Sequence, residues 1–318
     1  MTKPGRGIQI LAPTCAPVDG RSSLSNSAEM PIAHRGDVDL FFEVFGSATD
    51  PVLLLINGLG SQCINYDEQW CEKFAALGYR VIRFDNRDVG LSSKLDQGAY
   101  ALRDMAGDAV AVLDAASVER AHIMGVSMGG MIAQRLAIDH GDRVLSLTSV
   151  MSSTGEPDYG QSSPEALAAL MVKPARTRDE YVDNQVAERR VYGSKPEWID
   201  EAYLRARAAR AFDRCYYPGG IRRQMQAMMR DGDRADDLRS LTVPTLVIHG
   251  DRDTLVDPSG GRRTAELIPG ARYVEIEGMG HDYPAAVWDR WVETWADFVR
   301  SAAARDYRAG PGSGNLRG

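Results

Sequence analysis

Apolar runs of four to seven residues recur along the chain, each followed by a glycine-rich or polar turn. The first long one, residues 52–56, is Val-Leu-Leu-Leu-Ile, apolar at every position rather than every second one. Such a run suits a strand covered on both faces, as in a parallel sheet between two helical layers. Residues 63–77 then show helical spacing and stop at Gly78, a residue suited to ending a helix. Strand-like runs follow at 79–84, 121–124 and 144–150, with helix-like segments at 102–116 and 131–140 between them. The rhythm resumes as strand 245–249, helix 260–267, strand 272–276 and helix 284–302. A β-α-β rhythm of this kind predicts an α/β fold with a mostly parallel, doubly wound sheet. Two shorter alternating segments, 30–34 and 38–45, flank Arg35-Gly36-Asp37 and predict an antiparallel hairpin at the sheet edge.

Residues 151–240 break this rhythm. Buried strand-like runs vanish, and long helical stretches rich in Arg, Ala and Glu take over, among them 196–212 and 221–230. The expected organisation is a core of residues 31–150 and 241–302 with a helical cap or lid inserted at 151–240. Residues 1–30, rich in Pro, Ser, Gly and Asn, read as a flexible arm, and 303–318 as a disordered tail.

Composition narrows the function classes. The 318 residues, 44% hydrophobic and 25% charged, suffice for one large core with an insertion. A net charge of −7 argues against a general nucleic-acid binder. The four cysteines, Cys15, Cys63, Cys71 and Cys215, show no paired metal spacing. Few, scattered cysteines suit a reducing compartment, and Cys63 and Cys71 read as packing residues. No run approaches the length of a membrane span, and the apolar stretch at 8–13 is short for a secretory leader. The expectation is a cytoplasmic protein without a transmembrane segment; peripheral association with a membrane or envelope stays open.

The strongest chemical signal is Gly125-Val126-Ser127-Met128-Gly129. It reads G-x-S-x-G between a strand and a helix, the setting of a nucleophile elbow. A serine at the tip of such a turn takes a strained backbone conformation, and side chains at Gly125 and Gly129 would collide with the turn or its helix. A serine hydroxyl needs a base, and the base an orienting carboxylate. Of the five histidines, His34 and His122 precede the serine, against the order Ser, acid, His expected in this fold. His140 ends the elbow helix, roughly 20 Å from its start. His281, in Gly278-Met279-Gly280-His281-Asp282, is the expected base, whereas His249 reads as a histidine satisfied by neighbouring backbone. The loop His249-Gly250-Asp251-Arg252-Asp253 supplies the acid. Asp253 is preferred, Asp251 is better placed to brace the turn or pair with Arg252, and Asp257 is the outsider.

An oxyanion hole needs two backbone donors. Met128 N–H, just after the serine, and Leu59 N–H, in Asn57-Gly58-Leu59-Gly60, are the candidates, with Asn57 holding that loop through its side chain. Asp85-Asn86-Arg87-Asp88 reads as a bracing loop in which Arg87 pairs internally. No metal-ligand spacing and no nucleotide-binding glycine motif occurs, so no cofactor and no metal are expected. Met225, Met228 and Met229, at helical spacing in the insertion, are candidates for an acyl pocket.

Taken in order, Asn57–Gly60, Asp85-Asn86-Arg87-Asp88-Val89-Gly90-Leu91-Ser92, the Ser127 elbow, His249–Asp253 and Gly278–His281 resemble the α/β-hydrolase fold superfamily over roughly residues 30–302. The stretch from Arg83 to Ser92 is similar to a branch holding bacterial lipase/esterases and aclacinomycin methylesterases. Two positions depart from it: Asn57 stands where His is common, and Asp88 where relatives have Gly. The resemblance implies a cofactor-independent carboxylic-ester hydrolase acting on a small-molecule ester. Rival readings are a perhydrolase or haloperoxidase-like activity, C–C bond hydrolysis on the same triad, or a ligand-binding receptor. Specificity and oligomeric state are not encoded in these motifs.

Overall fold

The computed structural model describes residues 31–96 and 98–309. Eight strands form one sheet in the order β1-β2-β4-β3-β5-β6-β7-β8. They are β1 (Ile32–Arg35), β2 (Val38–Phe45), β3 (Val52–Ile56), β4 (Arg80–Phe84), β5 (Ala121–Val126), β6 (Val144–Val150), β7 (Thr245–Gly250) and β8 (Arg272–Ile276). β1 and β2 are the antiparallel edge hairpin, and every pairing from β4 to β8 is parallel.

The apolar run of β3 is explained by the two layers it separates. Val52, Leu54 and Ile56 face one core, against α2 (Leu102–Ala115) and α3 (Met128–Asp139). Leu53 and Leu55 face the other, against Trp70 and Phe74 of α1 (Glu68–Ala76) and the tryptophans of α10 (Ala285–Ala309). With both faces buried, neither set of alternate positions has reason to be polar. α1 is shorter than the sequence suggests. Residues Cys63–Asn65 form a separate single turn, and the Asp67 carboxylate caps α1 by accepting from Gln69 N–H at 2.8 Å. The helix ends beside Gly78, at φ +82°.

Between β6 and β7 lie α4 (Pro164–Leu170), α5 (Arg178–Tyr192), α6 (Glu201–Arg214), α7 (Pro218–Asp231) and α8 (Ala235–Arg239). α6 begins at Glu201 rather than 196, because Pro196–Trp198 closes a separate turn and Asp200 then caps the helix. Ala227 of α7 and Leu238 of α8 join the α2–α3 core, so the insertion's last helices pack as part of the main body. After β7 comes α9 (Ser259–Leu267). α10 continues to Ala309, past residue 303 where the expected tail begins. The expected arm, residues 1–30, and residues 310–318 lie outside the described residues. No helix among the described residues is long and apolar enough to cross a membrane. Cys63 and Cys71 are buried free thiols, and Cys215 is disulfide-bonded, which departs from the reducing compartment the scattered cysteines suggested.

Candidate active site

β5 delivers Ser127 to the start of α3 at φ +57°, ψ −123°, a conformation that side-chain-bearing residues rarely adopt. The glycines around it have no alternative. A Cβ on Gly125 would lie 1.9 Å from Gly129 O, and one on Gly129 would lie 2.0 Å from Ile56 O. Ser127 therefore stands at the tip of a turn that only these glycines can close. Its Oγ lies 3.0 Å from His281 Nε2.

His281 sits in the loop after β8. Its Nδ1 lies 2.7 Å from Asp253 Oδ2. A carboxylate accepts, so Nδ1 carries the proton and Nε2 is left to accept from the serine hydroxyl. Asp253 lies after β7, and its Oδ1 accepts the N–H groups of Leu255 and Val256, each at 2.9 Å. Burial pushes this carboxyl up, but the charge of His281 and hydrogen bonds from His249 and His281 outweigh it and hold the group at about 2. Asp253 is thus anionic at neutral pH. Asp251 Oδ1 accepts Gly278 N–H at 2.7 Å, bracing the turn beneath the His281 loop. Asp257 caps α9 through Ser259 N–H. His249 is fully buried and donates from Nε2 to Val256 O at 2.9 Å, with Asp253 Oδ2 at 3.2 Å.

The loop after β3 passes directly over the elbow, where a Cβ on Gly58 would lie 3.2 Å from Ser127 Cβ. Met128 is the first residue of α3, so its N–H has no partner within the helix. The Asn57 side chain does not hold this loop: its Nδ2 has no hydrogen-bond partner among the described residues. Instead Asn86 Nδ2 donates to Asn57 O at 3.0 Å, and Gln224 of α7 accepts Gly60 N–H at 2.8 Å. Arg87 does not pair internally either. It reaches α2 and binds both oxygens of Asp108 at 2.6 Å. Its neighbours take cations from the insertion: Asp85 pairs with Arg214 at 2.7 Å and Asp88 with Arg223 at 2.8 Å. Asp88 has φ +69°, which explains why glycine would be easy at this position.

Ser127 and His281 both line a cavity of about 260 Å³. Its apolar wall includes Leu59, Val126, Met131, Leu170, Ile221 and Met228. Of the three methionines at helical spacing, Met228 is on the wall, Met225 is not among the lining residues, and Met229 is 81% exposed. Met229 lies about 100° further round the helix than Met228. Gly220, Gln224 and Ala227 form the buried face of α7; a methionine stripe alone does not mark which face is covered.

The insertion also grips His281. His281 N–H donates to Tyr192 O at 2.7 Å, and Arg189 Nη1 donates to His281 O at 2.8 Å. Ser194 Oγ accepts Gly280 N–H at 3.0 Å. Gln224, Arg189, Ser194 and Asp108 belong to no short motif.

A profile of the α/β hydrolase fold family matches residues 51–283. The chain belongs to this family. It is 32% identical over 295 residues to the rhodomycin D methylesterase DauP of Streptomyces sp. (strain C5), covering 84% of this chain and 97% of that one. Among solved structures, Est816, described as an N-acyl homoserine lactone degrading enzyme, is 27% identical with a TM-score of 0.67, covering 84% of this chain and all of that one. The esterase RhEst1 from Rhodococcus sp. ECU1013 shares the fold at 24% identity and a TM-score of 0.71, covering 85% of this chain and 98% of its own. By its family and its methylesterase relative the chain is a carboxylic ester hydrolase.

Proposed function

We propose that this protein cleaves a small-molecule carboxylic ester through Ser127, His281 and Asp253 by way of an acyl-enzyme. The observation that carries the reading is the continuous chain from Ser127 Oγ to His281 at 3.0 Å and on to Asp253 at 2.7 Å, opening into the cavity. Ser127 Oγ attacks the acyl carbon while His281 Nε2 takes its proton. Asp253 orients His281 and stabilises its charged form. The negative charge on the former carbonyl oxygen is held by the N–H groups of Leu59 and Met128. Collapse expels the alcohol, protonated by His281. Water, deprotonated by the same imidazole, then releases the carboxylic acid and frees Ser127.

Residues 151–240 act in this reading as the cap that shapes the substrate cavity. Its apolar wall fits a hydrophobic substrate body. Arg189 and Arg207 also line it, and neither has a carboxylate in ion-pair contact among the described residues, which suits a substrate rich in accepting oxygens. The Streptomyces relative is named for a methylesterase activity, so methyl esters are the first alcohol portion to test.

The test is hydrolysis of p-nitrophenyl esters from acetate to palmitate, and of methyl esters of bulky aromatic acids, by wild type and Ser127→Ala. Wild-type turnover should fall by about 10⁴-fold or more in Ser127→Ala with thermal stability retained. Equal turnover by the two proteins would overturn the assignment.

A further inference from the structure

The loop that carries the Leu59 N–H is held from above by the cap. Gln224 of α7 is fully buried, and both ends of its amide are used. Its Oε1 accepts Gly60 N–H at 2.8 Å, and its Nε2 donates to Arg87 O at 2.9 Å. One cap side chain therefore ties together the backbones of the two loops beside the elbow, those after β3 and after β4. α7 is pressed onto the same two loops elsewhere. A Cβ on Gly60, at φ +64°, would lie 2.8 Å from Ile221 Cγ1, and one on Gly220 would lie 2.2 Å from Asp88 O. Arg223, the preceding residue, clamps both carboxylate oxygens of Asp88 at 2.8 and 2.9 Å.

We propose that Gln224 is a positioning residue for the oxyanion hole, and that seating of α7 on the core sets the direction of the Leu59 N–H. The inference rests on the proposed role of Leu59. The physical argument concerns the loop's freedom. Asn57 Nδ2 has no partner among the described residues, so the loop's own first side chain does not pin it. A glycine on either side of Leu59 leaves its backbone soft. The hydrogen bond at Gly60 holds the Leu59–Gly60 peptide, and Ser61 N–H, donating to Gly58 O at 3.2 Å, ties in the Gly58–Leu59 peptide that carries the Leu59 N–H, so Gln224 anchors from outside a turn that is closed from within. An oxyanion donor contributes only when aimed in advance at where the charge develops. Gln224 supplies that aim without touching the substrate's reacting atoms. The same bond makes the hole's geometry depend on the cap being seated.

Gln224→Leu and Gln224→Asn test this. The first removes both hydrogen bonds, and the second keeps the amide but shortens its reach. Each should lower kcat by about 10–100-fold on a small ester, with KM changed less than threefold. Affinity for an alkylboronic acid, which forms a tetrahedral adduct on the serine, should fall in parallel with kcat/KM. Affinity for the neutral alcohol product should not move. A purely structural role would instead move KM, the alcohol affinity and thermal stability together, and that outcome overturns the proposal. Full kcat in a folded Gln224→Asn overturns it as well, should Gln224→Leu fail to fold. Boronate binding that survives Ser127→Ala unchanged would sink the underlying triad reading instead.

Discussion

At the floor of the cavity, Gly125 and Gly129 let backbone segments meet at separations no Cβ would survive, whereas the cap, beside its backbone contacts at Asp88 and His281, also clasps the neighbouring loops through side chains. Gln224, Arg223, Arg189 and Ser194 each reach a loop that carries or borders a proposed site group. The two constructions fail differently. A backbone-on-backbone contact tolerates no added atom, because nothing in it can rotate away. A side-chain clasp can lose one bond and leave the fold standing, with the aim of the loop degraded. Rigid geometry is thus placed where the nucleophile must be strained, and adjustable geometry where the substrate must enter.

The largest effect should come from adding a single carbon to each construction. Gly129→Ala places a Cβ against Ile56 O at 2.0 Å, with backbone on both sides. The expected cost is about 4 kcal/mol or more of unfolding free energy, read by denaturant titration, with activity lost alongside. Gly219→Ala in α7 meets nothing closer than Tyr217 Cζ at 3.4 Å, an ordinary contact. Alanine is the better helix former, so this variant should be neutral or more stable by up to about 1 kcal/mol. Equal behaviour of the two would erase the distinction between floor and cap.

This contrast also marks what the sequence disclosed. Strand-length apolar runs, their order and the glycines of the elbow are local, and each follows from the steric demands of a few neighbouring residues. Ser127, His281 and Asp253, the proposed triad, stood out in the sequence because each sits in a short loop after a strand. The partners of Asp88, Arg87 and Gly60 were not. Arg223 lies 135 residues from Asp88, and Gln224 lies 164 from Gly60. Nothing in a charge pattern says that Arg87 prefers Asp108 to the carboxylates beside it. That choice is made by α2 packing under the loop, a fact of topology.

The floor's own strand carries a pH dependence of intermediate size. His122 on β5 is lodged between Tyr79 and Trp295, with Nδ1 2.8 Å from Ser146 Oγ. Burial, helped by Arg120, pushes its pKa down to about 4. The unfolded chain, with an ordinary imidazole, binds a proton that the folded protein refuses below about pH 6.5. Stability contributed by the neutral ring is therefore complete above that value and is lost as pH falls toward 4, by about 3 kcal/mol. His122→Gln should remove this component. The wild-type stability advantage over the variant, measured at pH 7 and again at pH 4.5, should shrink by about 2 kcal/mol. A constant difference would show that the ring is not held neutral.

The smallest effects separate two neighbouring cap residues. Met228 lines the cavity while Met229 is 81% exposed, although sequence spacing groups them. Met229→Ser should leave stability within about 0.5 kcal/mol and the ester preference unchanged, since it strips a side chain already in water. Met228→Ala removes apolar wall above Ser127. The bulkier esters of the p-nitrophenyl series should gain relative to acetate by about 3–10-fold in kcat/KM, as each added methylene finds space worth up to about 1 kcal/mol. Because Gln224 still holds Gly60 in that variant, kcat on acetate should stay within about threefold, given that the proposed oxyanion donors are not moved. A large fall in acetate kcat would mean that the cap's apolar wall and its polar clasp are one cooperative unit.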